Sequence, residues 1–221
     1  MKRLVLLLAV AVAGSAGVAS AQDSASLGAA DHETTVRLQQ IVDGVRSRGL
    51  PVEQIVAKVR YASLVAHAPT PKIVAVAQAV AQRLETARDA LAPRATANEI
   101  DAGADAIGLG VTVNALRALR AASPNRPVTV PIGVLTQLVA SRVPIAKATA
   151  IVTNLMRGGA NDQQIADLGK DVNQDIALGR KPDAALEIRA QGLIPILAPS
   201  TANASTTMLG PTSASGKPKK P

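Results

Sequence analysis

Asp171 to Asp175, "DVNQD", spells the opening of a calcium loop, where carboxylates and a carboxamide at alternate positions offer oxygen ligands to one cation. Such a loop next needs glycine for its sharp turn and an acidic residue at its twelfth position, but Ile176 and Pro182 stand there. On a helix the same stretch sets Asp167, Asp171 and Asp175 at i, i+4 and i+8, opposite Ile165, Leu168, Val172 and Ile176. The expectation is therefore an acidic solvated face, with no cation assigned to Asp171, Asn173 and Asp175.

The other reactive side chains lead no further. His32 sits in "DHE" between Asp31 and Glu33, but adjacent residues diverge on a helix, and a solvated N-terminal histidine is expected. His67 precedes a helix start and should face solvent or close a turn. Glu99, Asp101 and Asp105 form a second carboxylate group, in which the helix-start preference for acids accounts for Glu99 and exposure for the others. In the tail, "GPTSASGK" departs from a phosphate loop: five residues separate Gly210 from Gly216, and Pro218 follows Lys217 where a hydroxyl residue is needed. There is no cysteine, and no nucleophile elbow occurs after residue 21. No catalytic, cofactor-binding or metal-ligating residue emerges, and an enzyme is not expected.

The elements that would position these groups read as helices. "GLPVEQI" (49–55) returns in altered spelling as "HAPTPKI" (67–73), "RATANEI" (94–100), "GVTVNAL" (110–116), "PVTVPIG" (127–133), "RVPIAKA" (142–148), "GANDQQI" (159–165) and "RKPDAAL" (180–186). Glycine or a basic residue usually stands first, Pro, Thr or Asn third, and an aliphatic residue seventh; "PVTVPIG" fits worst. Thr and Asn cap the free amides of a first turn, and proline is tolerated there because its missing amide has no partner. Thr96 with Glu99 has capping-box spacing, and Asn161 with Gln164 is a looser version.

Helical spacing follows each start, as in Ile55, Val59 and Ala62, or Ile73, Val76, Val80 and Leu84, or Leu135, Leu138 and Val139. Only "RPVTVPIGVLTQLV" invites an extended start, through its β-branched residues and the Val130-Pro131 step. Starts recur about every 16–18 residues, so two helices make a unit of roughly 33 residues, the range of helical hairpins that stack into solenoids. The expected fold is all-α, with short antiparallel helices in a solenoid-like hairpin repeat; a compact helical bundle is the alternative. With one tyrosine and no Phe or Trp, the core must be Ala, Val, Leu and Ile in close contact.

The flanks set the expected address. Lys2 and Arg3 precede an apolar run ending in Ala19-Ser20-Ala21, the layout of a secretory signal peptide (1–21), with cleavage leaving Gln22 first. A flexible segment (22–32), a helical domain (33–198) and a disordered Ser/Thr/Pro/Lys tail (199–221) should follow. The apolar run is too short and too broken by Gly14 and Gly17 to persist as a span, so no stable membrane span is expected after cleavage.

The formal charge of +8 falls to +6 without Lys2 and Arg3, and to +3 without Lys217, Lys219 and Lys220. A mildly basic body without aromatic stacking platforms argues against nucleic acid, and against ring-lined sugar grooves. The sequence thus points to an exported, periplasmic or extracellular, non-catalytic scaffold that binds another envelope or secreted protein, with Arg37, Arg46, Arg48, Lys58 and Arg60 as candidate contacts. The alternative is a structural, surface-associated protein drawn weakly to anionic surfaces by its Lys-rich tail.

Overall fold

The computed structural model describes residues 32–197, and all regular structure in them is helical. The helices are α1 (His32–Ser47), α2 (Glu53–Arg60), α3 (Thr70–Leu91), α4 (Ala97–Gly108), α5 (Val113–Ala122), α6 (Thr129–Ala140), α7 (Ile145–Arg157), α8 (Asp162–Ala177) and α9 (Pro182–Leu197). A π-helical turn, Tyr61–Val65, prolongs α2. The expected signal peptide (1–21), the expected flexible segment (22–32) except His32, and the expected tail (199–221) lie outside the described residues.

The returning phrase is a stop and a start welded together. At Gly49, Gly110, Arg142, Gly159 and Gly179 the chain takes a positive φ directly after a helix. The next amide then bonds back five residues, as Leu50 does to Val45, Val111 to Ala106, Val143 to Leu138, Ala160 to Leu155 and Arg180 to Asp175. This is a Schellman stop, which satisfies the last carbonyls of the helix. His67, at φ 45°, does the same after α2, and there Ala68 reaches back six residues to Ala62, one more because the helix ends in the π turn. The residue after the left-handed one is buried at Leu50, Val111, Val143 and Ala160, so these four turns are pinned to the core. The following residue then starts the next helix: Thr112 and Asn161 cap with their side chains, and Pro69 and Pro144 stand at the same place.

Arg142, like His67, is a strained member of this set, with φ 65° where most of the turns place glycine. A non-glycine residue in that region costs about 1–2 kcal/mol, partly offset by the greater chain entropy glycine loses on folding. Arg142→Gly should therefore stabilise the protein by about 0.5–1 kcal/mol in urea titration.

The α6 start corrects the one extended expectation. Residues from Thr129 are helical, and Pro131 is buried in the first turn, where its missing amide leaves no carbonyl unpaired.

Helices pack mainly on those one or two places along the chain. Same-layer partners run parallel. Gln54 and Lys58 of α2 meet Asp101 and Asp105 of α4, Ser141 beside α6 meets Asn173 of α8, and Arg48 after α1 meets Glu85 of α3. Leu91 of α3 meets Arg120 of α5, and Lys147 of α7 meets Asp183 and Glu187 of α9. The odd helices thus form one layer and the even helices another. Between them lies an aliphatic interior that includes Leu38, Ile55, Leu84, Leu116, Leu135, Leu138, Ile165 and Leu186. Two buried clusters share Ala95 and Ile107 at their margin, so the interior is continuous. Gly103 permits a close approach of α4 to α3, since a Cβ there would stand 3.0 Å from that of Ala87 and 3.2 Å from Leu91.

Candidate functional site

Two turns lack the left-handed stop: Ala92 to Thr96, between α3 and α4, and Ser123 to Val128, between α5 and α6. One buried ion pair serves both. Arg120 of α5 donates Nε to Leu91 O at 3.1 Å, capping the end of α3, and Nη1 to Arg126 O at 3.1 Å, within the α5–α6 turn. Its Nη2 donates to Glu99 Oε1 at 2.6 Å. Glu99 accepts in turn from the Thr96 amide and the Val128 amide, each at 2.8 Å, covering the starts of α4 and α6. Glu99 is 1 % exposed and Arg120 7 %. The chain thus replaces two backbone stops with one carboxylate and one guanidinium, each shared between two turns.

Burial alone raises the Glu99 carboxyl, but the Thr96 and Val128 amides and Arg120 together outweigh it and hold its pKa below the ordinary carboxylate value. The capping box with Thr96 was legible in the sequence; Arg120, 21 residues on, was not.

The residues around "DVNQD" are helical, in the body of α8, rather than a metal loop. They are not a uniformly solvated face either: Asp167 is exposed, Asp171 partly so, and Asp175 is buried. Arg189 of α9 grips Asp175 with two bonds of 2.8 Å and reaches Asp171 at 3.4 Å, and Arg180 stands 3.6 Å from Asp175. Arg189's hydrogen bonds outweigh burial and, with the charges of Arg189 and Arg180, hold the Asp175 carboxyl below its ordinary value. The solvated-face expectation fails at Asp175 because α9 folds back over α8 and brings a planar guanidinium to it. Asn173 accepts from the Ser141 hydroxyl at 2.6 Å.

The second carboxylate group divides. Glu99 turns inward, while Asp101 and Asp105 face α2, where Gln54 donates to the Asp101 carbonyl and Lys58 pairs with Asp105 at 3.4 Å. Asp101 Oδ1 is buried without a hydrogen-bond partner among the described residues. Burial, then repulsion from Glu53 and Asp105, raises its pKa above 3.8. A raised carboxyl destabilises the fold when ionised, so its penalty is absent at low pH and grows as pH rises through its titration. Asp101→Asn should be more stable than the parent at neutral pH, with the two denaturation midpoints converging as pH falls towards 3.8.

His32 opens α1 and is exposed, and His67 closes a turn. Of the candidate basic contacts, Arg37 pairs with Glu33, Arg46 with Asp43, Arg48 with Glu85 and Lys58 with Asp105. Arg60 makes no ion pair among the described residues. No three His, Asp or Glu among the described residues converge as a metal would require, and no helix among them is long and apolar enough to cross a membrane. Between α5 and α7 runs an open groove lined by Thr112, Asn114, Thr149, Asn154 and Arg157, floored by Ala118, Ala146 and Ala150.

Compared with known proteins, the chain matches no family model, no curated protein and no solved structure.

Proposed function

We propose that this protein is an exported, non-catalytic helical-hairpin array that serves as a binding scaffold for another envelope or secreted protein. Export rests on the leader sequence. The scaffold reading is carried by the layered packing, in which each helix is held mainly by its near neighbours. Such an array leaves the outer faces of both layers open along its length, the arrangement by which stacked helices bind extended partners. The α5–α7 groove is one stretch of such a face, with hydroxyl and amide groups along its rim that could bond a peptide backbone over a floor of alanines.

The test is crosslinking of a C-terminally tagged copy in the native host, with mass spectrometry of what is recovered. One dominant protein, its recovery reduced by Ala146→Arg and Ala150→Arg on the exposed groove floor, supports the scaffold. Recovery of no protein, or of one indifferent to both substitutions, counts against it.

A further inference from the structure

We propose that one long edge of the array docks on an anionic lipid surface. Because same-layer helices run parallel, the turns leaving α2, α4, α6 and α8 all lie on one edge, and the turns leaving α1, α3, α5 and α7 lie on the other. Same-layer helices pack about 8–10 Å apart, so the first edge is about 25–30 Å long.

Seven large apolar side chains are exposed among the described residues, and five of them, Tyr61, Leu64, Val65, Leu109 and Leu178, stand at the turns of this first edge. Tyr61, Leu64 and Val65 share the outward side of the π turn, opposite buried Val59 and Ala62. The parallel register that sets Lys58 against Asp105 brings Leu109, one turn later, level with Tyr61. Leu178, 79 % exposed, tips the turn after α8. The opposite edge exposes no large apolar side chain among the described residues.

The unpaired charges on the first edge have one sign. Arg60, Lys72, Arg142 and Lys181 are exposed there and make no ion pair among the described residues. The acids nearby are engaged: Glu33 with Arg37, Asp105 with Lys58, Asp175 with Arg189, and Asp183 and Glu187 together with Lys147. No acidic residue occurs between Glu53 and Glu85. Arg142 keeps its charge in a left-handed position, where glycine would relieve strain. Unpaired cations interspersed with apolar tips at the turns of one edge suit the headgroup boundary of an anionic bilayer, where tyrosine and aliphatic tips enter the interface and cations stay at the phosphates. A second copy joined through the same edge would oppose like charges across the contact. This inference uses an edge, whereas the protein-binding reading uses an outer groove, so each can fail alone.

The experiment is co-sedimentation of the protein from its native host with vesicles of phosphatidylcholine alone or with phosphatidylglycerol added. Binding is expected only to the phosphatidylglycerol vesicles, weakened by salt. Arg142→Gly should bind about fivefold more weakly, the factor corresponding to about 1 kcal/mol per basic residue near an anionic surface, while its denaturation midpoint rises. Leu64→Ser with Leu178→Ser should weaken binding about tenfold or more, and because both sites are exposed the folded spectrum should be unchanged. Removing Lys217 to Pro221 should leave binding in place. Equal binding to both vesicles, binding carried only by the tail, insensitivity to Leu64→Ser with Leu178→Ser, or a doubled mass in solution abolished by those substitutions would each overturn the proposal.

Discussion

Glu99→Ala is expected to lower folding stability by about 3–5 kcal/mol, the usual consequence of removing one partner from a buried ion pair. The loss has two sources. Arg120 would remain buried with its Nη2 unpaired, and the Thr96 and Val128 amides would lose their acceptor at the starts of α4 and α6. In many proteins such a pair can be exchanged for apolar residues at little cost. Here Glu99→Leu with Arg120→Met should recover only part of the loss, because the Leu91 and Arg126 carbonyls would then be unpaired as well. Urea titration of parent, single and double variants measures this directly. Full recovery in the double variant would mean that the two turns stand without these caps.

The pH dependence has a definite sign. Glu99 is held below its ordinary value of 4.5. Its stabilising contribution is therefore complete above that value and disappears as pH falls through the depressed one. Asp101 works the other way, so the parent should lose less stability on acidification than Asp101→Asn.

The second large effect is expected at Leu135. It is fully buried in α6, the helix that links α4 on one side to α8 on the other. Leu135→Ala should cost about 2–5 kcal/mol, combining lost transfer energy with the cavity left behind. The upper part of that range is favoured by the composition of the interior: short aliphatic side chains held close have little freedom to swing into a void. A shift below about 1 kcal/mol by thermal or urea denaturation would show that the α6 interior collapses freely.

How much was legible depends on the range of each interaction. The capping boxes at Thr96 and Asn161 join residues three apart, and both formed as their spacing predicts. The helical spacing of Ile55, Val59 and Ala62 marked a buried stripe for the same reason. "PVTVPIG" fitted the phrase worst because its start is completed from elsewhere: the Val128 amide donates to Glu99, 29 residues earlier. Asp175 looked solvated because nothing within its own helix opposes it; Arg189 reaches it only once α9 packs on α8.

The sequence by itself determined the helices, their aliphatic interior and the turn phrase that ends one and begins the next. These follow from hydrogen bonds and side-chain periods that close within one or two turns of chain. Only the tertiary structure decided which carboxylates turn inward, which arginine completes two turns at once, and that scattered Leu, Tyr and Arg residues meet along one edge. Those outcomes depend on the parallel register between helices two places apart, and register is set by how side chains interlock across a layer, at distances along the chain that local spacing does not encode.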